Sequence, residues 1–328
     1  MTDPRVLCLG ELLNDRLADR PGATPSAVAS WTDYSGGAPA NVACAISKLD
    51  TPAGFIGCVG SDALGDRLLG VLAEAGVNIR GVQRHLDAPT RQVYVLRSES
   101  GDRTFGGFGD IPPDAFADAF LQADKLPVAL FESAEFLVLG TLELAYPMAR
   151  QAVLRSLELA VACGLKIVLD VNARPTFWPD PEAAKPLVQT LYPYVDYLKL
   201  AREEALWLFD TAEAAAIAYQ LDSVEGVLVT DGAGAVSYYL NTSEGKYPAY
   251  TVAVQDTTGA GDAFVAGFVK QLCDRGIACL EKPEVARAVV AYACAAGALT
   301  AMRPGAIAAQ PTADEVRAFL VEHEQVSD

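Results

Sequence analysis

Short apolar runs separated by helical periodicity constrain the fold of this chain more than any other feature. The runs are RVLCLG (5–10), AGFIGCVG (53–60), EFLVLG (135–140), KIVLDVN (166–172), DYLKL (196–200) and GVLVTDG (226–232). Each is almost continuously apolar, the pattern of strands covered on both faces in a parallel sheet. Between them, Val42, Ala45, Ile46 and Leu49 repeat at helical spacing, as do Leu64, Leu68 and Leu72 ahead of Gly76. A longer helix is predicted over about 145–163, stopped by Gly164. Such alternation predicts a three-layer α/β/α sandwich with a mostly parallel central sheet. Residues 11–35 and 88–110 alternate better, as in RQVYVLRSE (91–99), and are bounded by Gly, Pro and Asp. They read as a small antiparallel β-lid with one open face. No repeat or Pro/Gly-rich linker divides residues 1–328, so the expectation is a single α/β domain carrying a lid.

The net charge of −17 excludes nucleic acid as a natural partner and disfavours anionic membranes. A small anion can still bind where local amides and a divalent metal outweigh the global charge. The seven cysteines form no C-x-x-C pair and read as reduced, mostly buried thiols. His85 and His323 are the only histidines, so chemistry built on imidazole is disfavoured. The opening MTDPRVLCLGELLND lacks the basic and apolar blocks of a secretory signal, and no apolar run is a convincing membrane span. The expected location is cytoplasmic.

The stretch VQDTTGAGDAFVAGFV (254–269) joins a turn of small residues to an apolar helical run with Phe264, Val265, Phe268 and Leu272 on one face. A helix start leaves N–H groups unpaired and partially positive, and phosphate suits that position. Gly259, Ala260 and Gly261 leave the amides bare to an anion. Asp262 beside them reads either as a general base for an attacking hydroxyl or as a plain N-cap of the helix. Glycine-rich turns also serve close packing, so the turn alone leaves both readings open.

A second glycine turn, SGGAPANVACAISKLD (35–50), leads into a helix with Pro39 near its start. Together with DTTGAGDAFVAGF (256–268), it resembles the paired motifs of the PfkB, or ribokinase-like, sugar kinases. GELLND (10–15), FIGCVGSDALGDRLLGVLAEAGVN (55–78), VLVTDGAGAVSYY (227–239) and GALTAMRPGA (297–306) extend the resemblance over nearly the whole chain. It implies a ribokinase-like fold and transfer of the γ-phosphoryl group of ATP, with Mg²⁺, to a primary hydroxyl of a small neutral sugar. By the same resemblance Asp262 is the catalytic base, and Gly259, Ala260 and Gly261 form the anion hole. Asp15, Gly36, Gly37 and Asn41 bind substrate, with Arg174 in DVNARPTFW (170–178) meeting phosphate or sugar. Lys199, Glu204, Thr230, Gly232 and Gly234 fall on the nucleotide side, Glu204 reaching Mg²⁺ through water. Asp256 and Thr258 lie where relatives hold K⁺, and lids of relatives pair into homodimers. Local structural readings stand beside these: a backbone bond near the helix start for Asn41, a turn for Asp15, a surface ion pair for Arg174.

SGGAPANVA and DVNARPTFW resemble fructokinase-like members most, so fructose is the expected acceptor. Two departures bear on this. Ala201 stands where relatives carry Asn three residues before the Glu, and Phe108 is followed by Gly109 and Asp110 rather than by an Arg. The missing Arg argues against a carboxylate-bearing acceptor such as 2-keto-3-deoxygluconate. Arg91, Arg97 and Arg103 read as a solvated lid face rather than as substitutes. The alternatives are a ribose, ketodeoxygluconate or nucleoside kinase of the same fold, or a regulatory protein with weakened catalysis.

Overall fold

The structure is a computed structural model that describes residues 2–21, 24–98, 103–221 and 223–324. Parts of the expected lid segments, residues 22–23 and 99–102, therefore lie outside the described residues. The first half contains β1 (Val6–Leu9), β2 (Leu13–Ala18), β3 (Trp31–Gly36), α1 (Ala38–Lys48), β4 (Ala53–Gly60), α2 (Ala63–Glu74), β5 (Asn78–His85), β6 (Gln92–Arg97) and β7 (Arg103–Gly107). It continues through α3 (Val128–Ser133), β8 (Phe136–Leu139), α4 (Pro147–Cys163), β9 (Lys166–Asp170), α5 (Ala184–Gln189), β10 (Tyr197–Ala201), α6 (Arg202–Phe209) and α7 (Ala214–Ala218). The last part holds β11 (Gly226–Thr230), β12 (Val236–Leu240), β13 (Ser243–Tyr247), α8 (Ala260–Arg275), α9 (Pro283–Ala301) and α10 (Ala313–Glu324).

The main sheet runs β13-β12-β11-β10-β9-β8-β1-β4-β5. From β5 to β11 every neighbouring pair is parallel, and β12 and β13 close the far edge as an antiparallel hairpin. Two apolar clusters flank the sheet. One gathers α1, α2, α8 and α9, the other α3 to α7. The continuous apolar strands follow from this, since each strand face meets helices. The expected helices form: Asp62 caps α2 by accepting from Gly65 N at 2.7 Å, and α4 ends at Gly164 in the left-handed region (φ 75°). The β12–β13 hairpin was not expected from the sequence. Helix α9 is long and apolar enough to span a bilayer by length and composition, yet much of it is buried against α8 in the core.

The lid is a four-stranded sheet in the order β3-β2-β6-β7. Its central pair, β2 and β6, is parallel, which corrects the antiparallel expectation. The outer pairs are antiparallel as expected. Both central strands leave the main sheet from the same side, β2 after β1 and β6 after β5, so they enter the lid in the same direction. The solvated reading of Arg91 also fails. Its guanidinium is fully buried at the root of the lid, paired with Asp118 through two hydrogen bonds (2.5 and 2.9 Å) and lying over Phe108, Phe116 and Tyr146. Alternating patterns predict exposure of polar positions, and only the folded core reveals a carboxylate waiting for one of them. The Arg103 side chain lies outside the described residues.

Candidate active site

The C-terminal ends of β1, β8, β9, β10 and β11 open onto the N-termini of α1 and α8, with the lid overhead. Open parallel sheets place ligands at this edge. Two cavities of about 460 Å³ each meet here and share Thr230, Thr257 and Gly261 in their walls. The first is largely apolar, with Val236, Tyr250, Val252 and Phe264 in its wall. The second is polar, with Asp15, Asn41, Asn172, Arg174 and Asp262 in its wall.

The shared wall is the glycine turn. Gly259 precedes α8 with φ 80°, and a methyl group there would lie 3.0 Å from Ala306 Cα, so the turn must pass this loop without a side chain. Ala260 N–H turns back to Thr257 O at 3.2 Å, which removes it from the expected set of bare amides. The N–H groups of Gly259, Gly261 and Asp262 have no backbone partner among the described residues, so the bare amides differ by one position from the expected set. Helix α8 starts at Ala260, two residues earlier than the apolar pattern suggested, so Asp262 is no N-cap. Instead its Oδ2 accepts from Asn41 Nδ2 at 2.8 Å.

Asp262 is half-buried, and the desolvation of its carboxyl pushes it up to about 6, with the charge of Asp170 adding to the rise. The Asn41 amide, Lys199 and Arg174 pull the other way. A carboxyl balanced near neutrality suits a general base. Lys199 is nearly buried, ion-paired with Asp170 at 2.9 Å. Burial alone would lower its pKa, but Asp170 and Glu204 outweigh this and raise it, so it stays an ammonium. A methyl group on Gly261 would approach Lys199 Nζ to 3.3 Å, which sets a fixed positive charge just under the bare amides.

The remaining expected residues divide by location. Asp15, Gly37, Asn41 and Arg174 line the polar cavity. Gly36 lines neither cavity, but a methyl group there would come within 2.6 Å of Asp15 Oδ2, so its bareness sets the position of that carboxylate. Thr230 lines both cavities and Gly232 the apolar one, whereas Lys199 and Glu204 line the polar one. Gly234 lines neither; it closes a tight turn on Asp231. Glu204 accepts from Ala201 N (2.7 Å) and Ala173 N (2.6 Å), stapling the ends of β10 and β9. Its carboxyl is raised, mainly by burial.

No cluster of three or more His, Cys, Asp or Glu that could hold a metal exists among the described residues. Mg²⁺ keeps water and phosphate ligands more readily than it enters an all-protein cage, so the carboxylates here fit a Mg²⁺ that arrives with phosphate. Asp256 Oδ1 accepts from Thr258 N and Oγ1, and Oδ2 accepts from Gly305 N. That carboxylate ties the glycine turn to the 305 loop.

Sequence reasoning singled out neither Asp170, which charges the floor with Lys199, nor Glu11, Asn172 and Thr257, which line the polar cavity. Asp170 and Asn172 stand in the DVN stretch at the end of β9, where strand-end polar residues were the available signal.

Residues 3–313 match the pfkB family carbohydrate kinase. The chain belongs to that family. It is 32% identical over 318 residues to probable fructokinase-2 of Arabidopsis thaliana, covering 96% of this chain and 95% of the relative. The crystal structure of fructokinase with bound ATP from Xylella fastidiosa superposes with a TM-score of 0.87 at 32% identity, covering 97% of this chain and 98% of that one. A double mutant of the Vibrio cholerae fructokinase with fructose, ADP and potassium ion bound superposes with a TM-score of 0.82 at 27% identity, covering 97% and 99%. The fold is ribokinase-like, and the protein is a fructokinase-like carbohydrate kinase.

Proposed function

We propose that this carbohydrate kinase transfers the γ-phosphoryl group of ATP to a primary hydroxyl of fructose. The observation that carries this reading is the junction of two cavities at a bare-amide helix start with the half-buried carboxylate of Asp262 beside it. The apolar cavity suits the nucleotide, Tyr250, Val252 and Phe264 offering flat or greasy surfaces to a base. The polar cavity suits a polyol: Asp15 accepts hydroxyl hydrogens and Asn41 both donates and accepts. Its carboxylates Glu11, Asp15, Glu204 and Asp262 face two cations, of which Lys199 is already paired, so a neutral acceptor is favoured over an anionic one.

In this reading Asp262 takes the proton of the acceptor hydroxyl as the oxygen attacks. The amides of Gly259, Gly261 and Asp262 accept charge growing on the moving phosphoryl group, with Lys199 beneath them. Mg²⁺ bound with the nucleotide would neutralise phosphate charge, with Glu204 positioned to reach it through water. The lid excludes water that would otherwise be phosphorylated. The relatives' names and the fructose-bound Vibrio cholerae structure support fructose as acceptor. Free thiols at every described cysteine, five of them buried, support a reducing, cytoplasmic setting. The open edges at β3 and β7 support pairing of two lids in a homodimer.

Coupled ADP release with ATP and Mg²⁺ across fructose, ribose, 2-keto-3-deoxygluconate and nucleosides tests the reading. Fructose is expected to give the highest kcat/KM, and Asp262→Asn to remove most turnover while sparing sugar binding. Near-normal turnover in Asp262→Asn, or no product with fructose, defeats it.

A further inference from the structure

Two buried carboxyls beside the polar cavity have no assigned task. Glu11 follows β1 and Glu143 follows β8, strands that pair in parallel with Leu9 opposite Leu139. The two residues thus emerge from neighbouring strand ends. Glu11 is 5% exposed and lines the cavity. Its Oε1 accepts from Ala38 N at 2.8 Å, at the start of α1, but its buried Oε2 has no hydrogen-bond partner. Glu143 is 2% exposed, and both its oxygens are buried and unpartnered. A methyl group on Gly10 would lie 3.2 Å from Glu143 Oε2, which sets this carboxyl against the Gly10–Glu11 corner.

We propose that Glu11 is a further acceptor-binding residue, held in position by a proton shared with the buried carboxyl of Glu143. Two adjacent carboxylates with three of their four oxygens unpartnered are costly in a dry interior, and one retained proton turns an unpartnered acceptor into an O–H donor. Glu143 O–H then donates to Glu11 Oε2, and the remaining lone pair of that oxygen accepts a sugar hydroxyl. Capping α1 employs only Oε1 and leaves Oε2 unexplained.

The surroundings agree. Burial raises both carboxyls, and the charge of Glu11 raises Glu143 further. Asp118 and Asp262 press Glu11 upward, and Asp118 presses Glu143. Arg91 is the cation that lowers Glu143, but it is committed to Asp118 by two hydrogen bonds. Tyr146, beside the same guanidinium, is itself raised by burial and adds no charge near neutrality.

The proposal rests on the sugar-kinase reading above, and the experiment separates the two. Fructose KM and kcat are measured from about pH 6 to pH 9 for the wild type, Glu11→Ala, Glu143→Gln and Glu143→Leu. Glu11→Ala is expected to raise KM roughly fivefold, the worth of one hydrogen bond, with kcat within about twofold. Wild-type KM climbs toward alkaline pH as the shared proton is lost. Glu143→Gln keeps the low KM and flattens that climb, because an amide donates at every pH, whereas Glu143→Leu raises KM throughout. Infrared spectra of the ligand-free full chain are expected to carry a protonated-carboxyl C=O band that Glu143→Gln removes, which needs neither an acceptor nor the Leu variant to fold. An unchanged KM in Glu11→Ala, or identical infrared spectra for wild type and Glu143→Gln, overturns the proposal. Absence of turnover with fructose sinks the acceptor reading instead, while the infrared comparison still decides for or against the shared proton.

Discussion

Replacing Asn41 with Ala should move the acid limb of the reaction without touching the base itself. Asn41 Nδ2 donates to Asp262 Oδ2 at 2.8 Å in the wall of the polar cavity, and this bond favours the ionised carboxylate. Hydrogen bonds to charged groups are worth about 1.5–3 kcal/mol, and one pKa unit corresponds to about 1.4 kcal/mol. Losing the bond should therefore lift the Asp262 carboxyl from about 6 by roughly one to two units. The base must be ionised to accept a proton, so kcat/KM falls about tenfold per pH unit below its pKa. The assay is coupled ADP release across the acid and neutral range for wild type and Asn41→Ala. The wild-type limb should bend near pH 6 and the variant limb near 7 to 8. Amplitude also drops, since Asn41 lines the sugar cavity, but the position of the bend is independent of amplitude. A bend that stays put, or moves to lower pH, refutes the role of Asn41 in holding Asp262 ionised.

The other expectations concern stability as much as rate. Because burial raises Asp262 from 3.8 to about 6, its ionisation destabilises the fold by roughly 3 kcal/mol, a contribution absent below pH 4 and complete once pH has risen through about 6. Asp262→Asn should match the wild-type melting temperature near pH 4 and exceed it by a few degrees at pH 8; an equal Tm at pH 8 contradicts this. Gly259→Ala meets Ala306 backbone at 3.0 Å with φ 80° and should lower Tm, losing about 1–2 kcal/mol of stability from the backbone alone, whereas Gly261→Ala meets only the tip of the Lys199 side chain, at 3.3 Å. Gly261→Ala should hold its Tm and lose roughly a hundredfold in kcat, measured by thermal melts alongside turnover. Arg91→Met strands Asp118 in the core and should cost about 3–5 kcal/mol in denaturant unfolding, a loss that a solvated lid arginine would not show.

Much of the fold was legible because its signals are local. Apolar runs of strand length, helical spacing and stop glycines all act within a few residues, and the strands and helices they announced form within one or two positions. The same holds for the glycine turn, whose need for bare backbone is written at Gly259. The lid's central pairing was misread because alternation reports an open face and says nothing of strand direction. Which carboxylates would be paired or left bare was not legible either: Arg91 looked solvated, and Glu11 and Glu143 carried no signal.

The order of elements, the bare glycine turn and the acid behind it were therefore determined by the sequence itself. Only the tertiary structure brought Asn41 onto Asp262, Asp170 onto Lys199 and Glu143 beside the Gly10–Glu11 corner. The physical reason is distance along the chain: backbone preferences are set by near neighbours, whereas the protonation and reach of a buried carboxyl depend on groups the fold delivers from far away.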